Sequence, residues 1–153
     1  MTLNEEQMKW SADGKGLSFA IVVARFNSAI TDKLRAGAEE ALKEAGASVV
    51  QVFHVPGAFE LAPAASRLAP QFDGIIALGA VIRGETPHFE FVADACAHGL
   101  QHVSIQTGKP VAFGVLTTDT FQQAVERAGG AHGNKGYDAA MTAVEMARLG
   151  TAT

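Results

Sequence analysis

One histidine in this sequence lies in a glycine-rich bend, where a side chain can reach a bound molecule. His88 follows Gly84 and the dipeptide Thr86-Pro87, which predicts an N-cap at Thr86 and a proline at the first helical position. The free N–H groups and the dipole of such a helix start attract anions. A histidine in the first turn can exchange protons with a molecule bound there. The stretch therefore predicts an anion site with a general acid or base beside it.

Two further bends carry aromatic or polar side chains after apolar runs. Phe26 and Asn27 follow the first run, and Glu60 follows the dipeptide Pro56-Gly57 after the second. A phenylalanine by itself is more often a core residue, but beside an asparagine it also suits stacking on a flat heterocycle. Glu60 is either a solvated carboxylate stabilised by a helix start or an acceptor for ligand hydroxyl groups. The sequence leaves both pairs of alternatives open.

Cationic and metal-binding candidates lie in the second half of the chain. Arg127 ends a short predicted helix, and by default such an arginine complements the helix C-terminus. With Lys135 and flexible glycines nearby, it also suits binding of a phosphate ester. His98 and His102 have the i, i+4 spacing of a metal pair, but no third ligand has a supporting spacing, so no metal site is expected. No P-loop or G-x-S-x-G elbow occurs, and no G-x-G-x-x-G motif follows the first strand.

An alternation of apolar runs and helical patterns must position these residues. Four runs predict buried strands, and they cover residues 17–24, 48–55, 75–78 and 111–116. Gly79 and Gly84 are expected to let the backbone turn tightly after the third run. Five helices are predicted: residues 30–45, residues 59–68, a stretch from His88 to about His102, a short segment through Arg127, and a last helix after Gly136.

Strand followed by helix, repeated along the chain, predicts a four-stranded parallel sheet with helices on both faces, a three-layer α/β/α sandwich. The three bends should then project from one edge of the sheet. Gly46 is expected to end the first helix, Pro63 to confine or kink the second, and residues 129–133 to form a loop.

The composition indicates a soluble globular protein. The chain has 153 residues, of which 48% are hydrophobic and 18% charged, enough for one core. A net charge of -4 without a basic cluster argues against a nucleic-acid partner. Cys96 is the single cysteine, so no internal disulfide forms. The start lacks a secretory signal, and no apolar run reaches the ~20 residues of a membrane span. We expect a cytoplasmic protein without a membrane partner.

Residues 17–153 are expected to form a single domain, preceded by a polar N-terminal arm over residues 1–16. The arm is either a frayed terminus or an extension laid on a neighbouring subunit. Trp10, the one large aromatic residue of the arm, is the local support for the second alternative.

Five segments of the sequence form a set with specific spacing. They are residues 25–27 (RFN), 55–60 (VPGAFE), 79–90 (GAVIRGETPHFE), 113–117 (FGVLT) and 133–136 (GNKG). Together they resemble the 6,7-dimethyl-8-ribityllumazine synthase family over nearly the whole chain after Gly16. The resemblance implies a flavodoxin-like transferase that needs no cofactor. It would condense 5-amino-6-(D-ribitylamino)uracil with 3,4-dihydroxy-2-butanone 4-phosphate, releasing phosphate and water, in the penultimate step of riboflavin biosynthesis.

The resemblance also implies roles for individual residues. His88 is expected to move protons, Phe26 to stack on the pyrimidine, and Glu60 to bind the ribityl chain. The other implied contacts are Asn27, Ala58 and Phe59 at the ring, the backbone amides of Ala80, Val81 and Ile82, the amides of Glu85 and Thr86 with Arg127 at the phosphate, and Phe113 and Lys135 from a neighbouring subunit.

The resemblance further implies homopentamers whose active sites are shared by adjacent subunits. The short connection over residues 128–136 is similar to that of relatives whose pentamers close into sixty-subunit icosahedral shells. Ala131 stands where many relatives carry a lysine, and Glu85 places a carboxylate beside the implied phosphate site. One alternative is a weakly active paralogue that serves as a flavin or lumazine carrier or as a shell. A monomeric flavodoxin-like signalling or electron-transfer module fits the five segments poorly.

Overall fold

A four-stranded parallel sheet forms the centre of the molecule, as the alternation of strands and helices predicts. The computed structural model describes Trp10 and residues 13–150. In the strand order β2-β1-β3-β4, every neighbouring pair is parallel. The strands are β1 (Ser18–Ala24), β2 (Val49–Val55), β3 (Gly74–Ile82) and β4 (Val111–Thr118). β1 and β3 therefore lie in the middle of this sheet, and β2 and β4 form its edges.

Five α-helices of the described chain cover the two faces of the sheet. They are α1 (Ser28–Ala45), α2 (Leu61–Leu68), α3 (His88–Thr107), α4 (Phe121–Glu126) and α5 (Lys135–Arg148), with short 3₁₀ turns at Ala58–Glu60 and Ala69–Gln71. Residues of α1, α4 and α5 share one half of the core, and those of α2 and α3 share the other. The predicted three-layer, flavodoxin-like sandwich is confirmed. No helix within the described residues has the length and apolarity needed to cross a membrane.

Alternate residues of β1 supply the two halves of the core. Phe19, Ile21 and Val23 belong to the half under α1 and α5, whereas Ala20 and Val22 belong to the half under α2 and α3. Side chains alternate between the two faces along a strand. A strand covered on both faces therefore needs an apolar residue at every position, which explains the uninterrupted apolar run of β1.

The end of α1 and the start of α2 follow the chemistry predicted from the sequence, and the start of α4 adds a cap. Gly46 follows α1 with φ 79°, a left-handed conformation that glycine tolerates. Pro63 lies in the first turn of α2, where its missing N–H is not required. The side chains and backbones of Thr120 and Gln123 form a capping box at the start of α4.

Two predictions around β3 are wrong. The backbone does not turn at Gly79, because β3 continues to Ile82. The glycine serves packing instead, since a Cβ at this position would lie 3.2 Å from Leu61 Cδ1. Thr86 is not an N-cap: α3 begins at His88, Pro87 takes the N-cap position, and no side chain in the described chain caps this helix. His88 keeps its expected place in the first turn.

The loop predicted at residues 129–133 contains part of a small antiparallel hairpin. Its strands are β5 (Ala128–Gly130) and β6 (Gly133–Asn134). Gly129 and Gly133 have positive φ, which lets the backbone reverse over this short distance. The hairpin leads directly into α5, whose first N–H groups are capped by the side chain of Asn134.

The predicted arm at residues 1–16 lies mostly outside the described residues. Trp10 is half-buried and packs against the core half under α1 and α5 of its own chain. The N–H of Gly14 donates to the carbonyl of Ala45 at 2.8 Å, so the end of the arm is attached to α1. Whether the arm extends onto a neighbouring subunit stays a prediction.

Candidate active site

Three bends at the carboxyl ends of β2, β1 and β3 enclose a cavity of about 700 Å³, which we call the His88 cavity. Because these strands are adjacent and parallel, their ends meet at one edge of the sheet. Among the site residues expected from the sequence, the cavity is lined by Phe26, Ala58, Phe59, Glu60, Ala80, Val81, Ile82, Thr86 and His88. It is not lined by Asn27, Glu85, Phe113, Arg127 or Lys135.

The bend after β1 is held by hydrogen bonds that leave the Phe26 ring free. The N–H of Phe26 donates to the carbonyl of Pro56 at 3.0 Å. Asn27 adopts φ 63°, which is uncommon for residues other than glycine, and its Nδ2 donates to the carbonyl of Ala80 at 2.8 Å. Asn27 thus ties the bend to β3. The Phe26 ring is 71% exposed and free to stack on a ligand.

The bend after β2 presents a carboxylate to the His88 cavity. A 3₁₀ turn at Ala58–Glu60 leaves Glu60 half-buried at the cavity wall. Within the described chain, this carboxylate has neither a hydrogen bond nor an ion pair. A half-buried acceptor without a protein partner is well suited to a ligand hydroxyl group. The geometry therefore favours the ligand-binding alternative for Glu60.

β3 turns one backbone edge towards the His88 cavity, because its pairing with β1 ends earlier than its pairing with β4. The N–H groups of Ile75 and Arg83 donate to the β4 side. N–H groups alternate between the two edges of a parallel strand, so that of Val81 also faces β4. This orientation does not favour the expected contact between the Val81 amide and a bound ring, although Val81 lines the cavity, and the contact stays a prediction. The N–H groups of Ala80 and Ile82 face the cavity edge.

His88 is the first residue of α3, and it lines the cavity as an exposed side chain. Among the described residues, the imidazole has no hydrogen-bond or ion-pair partner. It can therefore exchange protons with a bound molecule. The uncapped start of α3 adds a positive dipole end beside it, which attracts an anion.

A helix face that continues from His88 was not predicted as part of the site. Phe91 and Val92 also line the cavity, three and four positions further along α3. Residues at these spacings share one face of a helix, so the signal was present in the sequence. The rings of Phe91 and Phe59 are 72% and 62% exposed and border the cavity. An apolar, aromatic wall with few polar groups is typical of a small-molecule site.

Arg127 faces a second cavity of about 420 Å³, which we call the Arg127 cavity. Phe89 borders both cavities. The Nη1 of Arg127 donates to the carbonyl of Gln123 at 2.9 Å. Lys135 lies beside it across the hairpin, since its N–H donates to the carbonyl of Arg127 at 2.9 Å. Within one chain, the imidazole of His88 and the guanidinium of Arg127 therefore face separate cavities.

The remaining expected residues do not line the His88 cavity. Phe113 is on the edge strand β4 and 38% exposed. Glu85 is exposed between β3 and α3. Lys135 begins α5 near Asp138, where burial raises the pKa of the Asp138 carboxyl and the charge of Lys135 acts in the opposite direction.

The candidates for metal or thiol chemistry do not form a site. His98 and His102 are exposed on α3. Within the described residues, no group of three or more histidine, cysteine, aspartate and glutamate side chains is arranged to hold a metal ion. Cys96 is buried, and burial raises the pKa of its thiol to about 11, so it is a poor nucleophile near neutral pH.

Comparison with known proteins identifies the family of this chain. The family model for 6,7-dimethyl-8-ribityllumazine synthase matches residues 16–151. A protein of Syntrophus aciditrophicus (strain SB) named 6,7-dimethyl-8-ribityllumazine synthase is 55% identical over 139 residues, which cover 88% of this chain and 90% of that protein. The family match spans the three bends, the hairpin and α5. The chain therefore belongs to the 6,7-dimethyl-8-ribityllumazine synthase family of enzymes.

Proposed function

We propose that this chain condenses 5-amino-6-(D-ribitylamino)uracil with 3,4-dihydroxy-2-butanone 4-phosphate to 6,7-dimethyl-8-ribityllumazine, releasing phosphate and water. The observation that carries the proposal is the His88 cavity itself. It brings an exposed aromatic ring (Phe26), an unpaired carboxylate (Glu60) and an unpaired imidazole (His88) to one wall. These groups suit a flat heterocycle with a polyhydroxylated chain and a reaction that needs proton transfer.

In this scheme the pyrimidine stacks on Phe26, near the 3₁₀ turn of Ala58 and Phe59. Glu60 accepts hydrogen bonds from the ribityl hydroxyl groups, and the backbone edge of Ala80 and Ile82 meets the ring. The amine attacks the ketone, water is lost to give an imine, phosphate leaves, and a second condensation closes the ring. His88 supplies and removes protons in these steps. Holding the two substrates together provides much of the acceleration, up to about 7–11 kcal/mol in favourable cases.

The phosphate is proposed to bind where two subunits meet. The start of α3, with the amides of Glu85 and Thr86, provides one side. Arg127 and Lys135 are adjacent cations, but they lie outside the His88 cavity of their own chain. A neighbouring subunit that presents its β4 edge and hairpin would bring Phe113, Arg127 and Lys135 to this cavity. Closed rings are the usual result of such head-to-tail contacts.

The proposed assembly is a homopentamer, with a sixty-subunit shell as the next level because the hairpin connection is short. The mass of the particle in sedimentation or light scattering distinguishes a pentamer, a decamer and a shell. The cytoplasm is the proposed compartment, since the single Cys96 leaves no internal disulfide to require an oxidising one.

The activity is tested by mixing the purified protein with both substrates and following the lumazine chromophore. Product formation is expected. Folded, assembled protein that binds flavin or lumazine tightly but forms no product would overturn the proposal and favour a carrier or shell.

The shared site is tested by co-expressing His88→Ala and Arg127→Ala chains at equal levels. At a concentration of the phosphorylated ketone well below its wild-type KM, each variant alone is expected to keep about a tenth of wild-type activity or less. In a mixed ring, a site is intact when one chain supplies His88 and its neighbour supplies Arg127, so about one quarter of wild-type activity should return. Mixed particles without recovered activity would show that the two residues do not act across an interface.

A further inference from the structure

Arg83, the first residue after β3, joins two segments that carry parts of the site. Its Nε donates to Asp119 Oδ1 at 2.7 Å, and its Nη1 donates to Glu90 Oε1 at 2.5 Å. The guanidinium carbon lies 4.4 Å from the centroid of the Phe89 ring, a cation–π contact. One side chain thus contacts the first turn of α3 and the segment between β4 and α4.

The contacts with α3 bear on His88. Phe89 and Glu90 directly follow His88, and all three belong to the first helical turn. Residues 84–87, which lead from β3 into this turn, are exposed, and no side-chain hydrogen bond within the described chain anchors them. Phe89 also packs against the core half under α2 and α3, so the contacts of Arg83 with Phe89 and Glu90 add to this packing and restrain the orientation of the first turn.

The contact with Asp119 bears on Arg127. The N–H of Asp119 donates to Gln123 Oε1 at 2.9 Å, within the segment that the capping box fixes at the start of α4. The carbonyl of Gln123 in turn accepts the hydrogen bond from Arg127 Nη1. A continuous series of hydrogen bonds thus runs from Arg83 through Asp119 and Gln123 to Arg127.

We propose that Arg83 is a positioning residue for both halves of the site. Through Phe89 and Glu90 it orients His88, and through Asp119 and α4 it places Arg127. The inference rests on the proposed function, in which Arg127 serves the phosphate of a neighbouring site. Arg83 then links His88, which acts in the site of its own subunit, to Arg127, which acts in the site of the neighbouring subunit.

A purely structural role for Arg83 predicts different behaviour. Its ion pairs are solvent-exposed, with 44% of the Arg83 side chain accessible, and exposed pairs contribute little to stability. Variants of Arg83 are therefore expected to fold and assemble. A kinetic defect in a stable variant points to geometry. A loss of folded protein would lower kcat alone and leave both KM values unchanged.

The first experiment compares Arg83→Met with Arg35→Met in steady-state assays with both substrates. Arg35 also forms an exposed ion pair, with Glu39 at 2.7 Å, but it lines neither cavity. Arg83→Met is expected to lower kcat about tenfold or more, because small displacements of catalytic groups are costly. It should also raise the KM of the phosphorylated ketone and leave the KM of the pyrimidine unchanged. Kinetics equal to those of Arg35→Met would overturn the inference.

Two further variants separate the two links. Glu90→Gln weakens only the link to α3 and should lower mainly kcat. Asp119→Asn weakens only the link to α4 and should raise mainly the KM of the phosphorylated ketone. Arg83→Lys keeps the charge but lacks the planar fork that reaches two carboxylates, so it should restore only part of the activity. Identical effects of Glu90→Gln and Asp119→Asn would contradict the two-link arrangement.

The proposed function and the positioning role can fail separately. A wild-type protein that makes no lumazine removes the proposed function. Crystal structures of the wild type and Arg83→Met then decide the positioning role. Displaced His88 and Arg127 side chains in the variant support it, and unmoved side chains overturn it.

Discussion

The two halves of the site are held by different kinds of contact. The half around His88 and Phe26 lies at the ends of central strands that are buried on both faces. The half around Arg127 and Lys135 is carried by a short helix and a hairpin, and its polar contacts are at the surface. The centre of the fold thus brings Phe26, Glu60 and His88 to one cavity. Arg127 and Lys135, the cations proposed to bind the phosphate of a neighbouring subunit's site, lie on its periphery.

The largest expected effect comes from the reacting group of the central half. His88→Ala should lower kcat by about 10²- to 10⁴-fold, the usual contribution of general acid–base catalysis. The cavity wall does not depend on the imidazole, so both KM values should change little. Steady-state assays of lumazine formation measure the effect.

His54→Ala is the matched control for this variant. His54 is an exposed histidine on the edge strand β2, outside both cavities. Its replacement should leave kcat unchanged. If His88→Ala kept half of the wild-type kcat, the central half would bind the substrates without supplying the proton transfer.

The peripheral half is tested next by removing its arginine. Arg127→Ala should raise the KM of the phosphorylated ketone about tenfold or more, because a hydrogen bond to a charged group contributes about 1.5–3 kcal/mol. The KM of the pyrimidine should not change, since Phe26 and Glu60 belong to the other half. Arg127→Lys should give an intermediate KM, because lysine keeps the charge without the fork. Equal increases in both KM values would show that the two halves do not divide the substrates in this way.

The anchoring of the central half depends on Asn27, whose backbone is left-handed and whose amide reaches Ala80. Asn27→Ala strains the left-handed backbone and loses the hydrogen bond, a combined cost of about 1–3 kcal/mol. Asn27→Gly loses the hydrogen bond but tolerates the backbone conformation. Calorimetric melting should therefore give the lower Tm for Asn27→Ala. Equal Tm values for the two variants would mean that the lost amide hydrogen bond, and not the backbone conformation, dominates at this bend.

The central half was also the part that the sequence could predict. An apolar run followed by a bend places residues such as Phe26 and Glu60 at the carboxyl edge of a parallel sheet. The prediction of a turn at Gly79 was wrong because the sequence does not distinguish a glycine required for packing against Leu61 from one required for a turn. The place of Phe91 and Val92 at the cavity could have been predicted from their helical spacing from His88.

The peripheral half was harder to predict. The sequence could suggest that Arg127 and Lys135 bind phosphate, but not that Arg127 faces a different cavity from His88. The contacts of Arg83 with Glu90 and Asp119 join three separate segments of the chain, and no local spacing in the sequence predicts these contacts. Side-chain contacts of this kind depend on tertiary packing, which periodicity does not describe.

The smallest expected effect concerns a polar surface contact that supports the peripheral half. The hydroxyl of Tyr137, two residues after Lys135, donates to Glu44 Oε2 at 2.6 Å and connects α5 to α1. This hydrogen bond and the neighbouring carboxylates raise the pKa of Tyr137 to about 12.

Tyr137→Phe should cost about 0.5–1.5 kcal/mol of stability near neutral pH. Because the raised pKa favours the neutral phenol in the folded state, this stabilisation is present below about pH 10 and is lost as the pH rises towards 12. The difference in Tm between wild type and Tyr137→Phe should therefore shrink between pH 8 and pH 11, while kcat at pH 8 stays unchanged because the His88 half is not involved. A difference in Tm that persists at high pH would show that the aromatic packing of Tyr137, and not its hydroxyl group, connects the two helices.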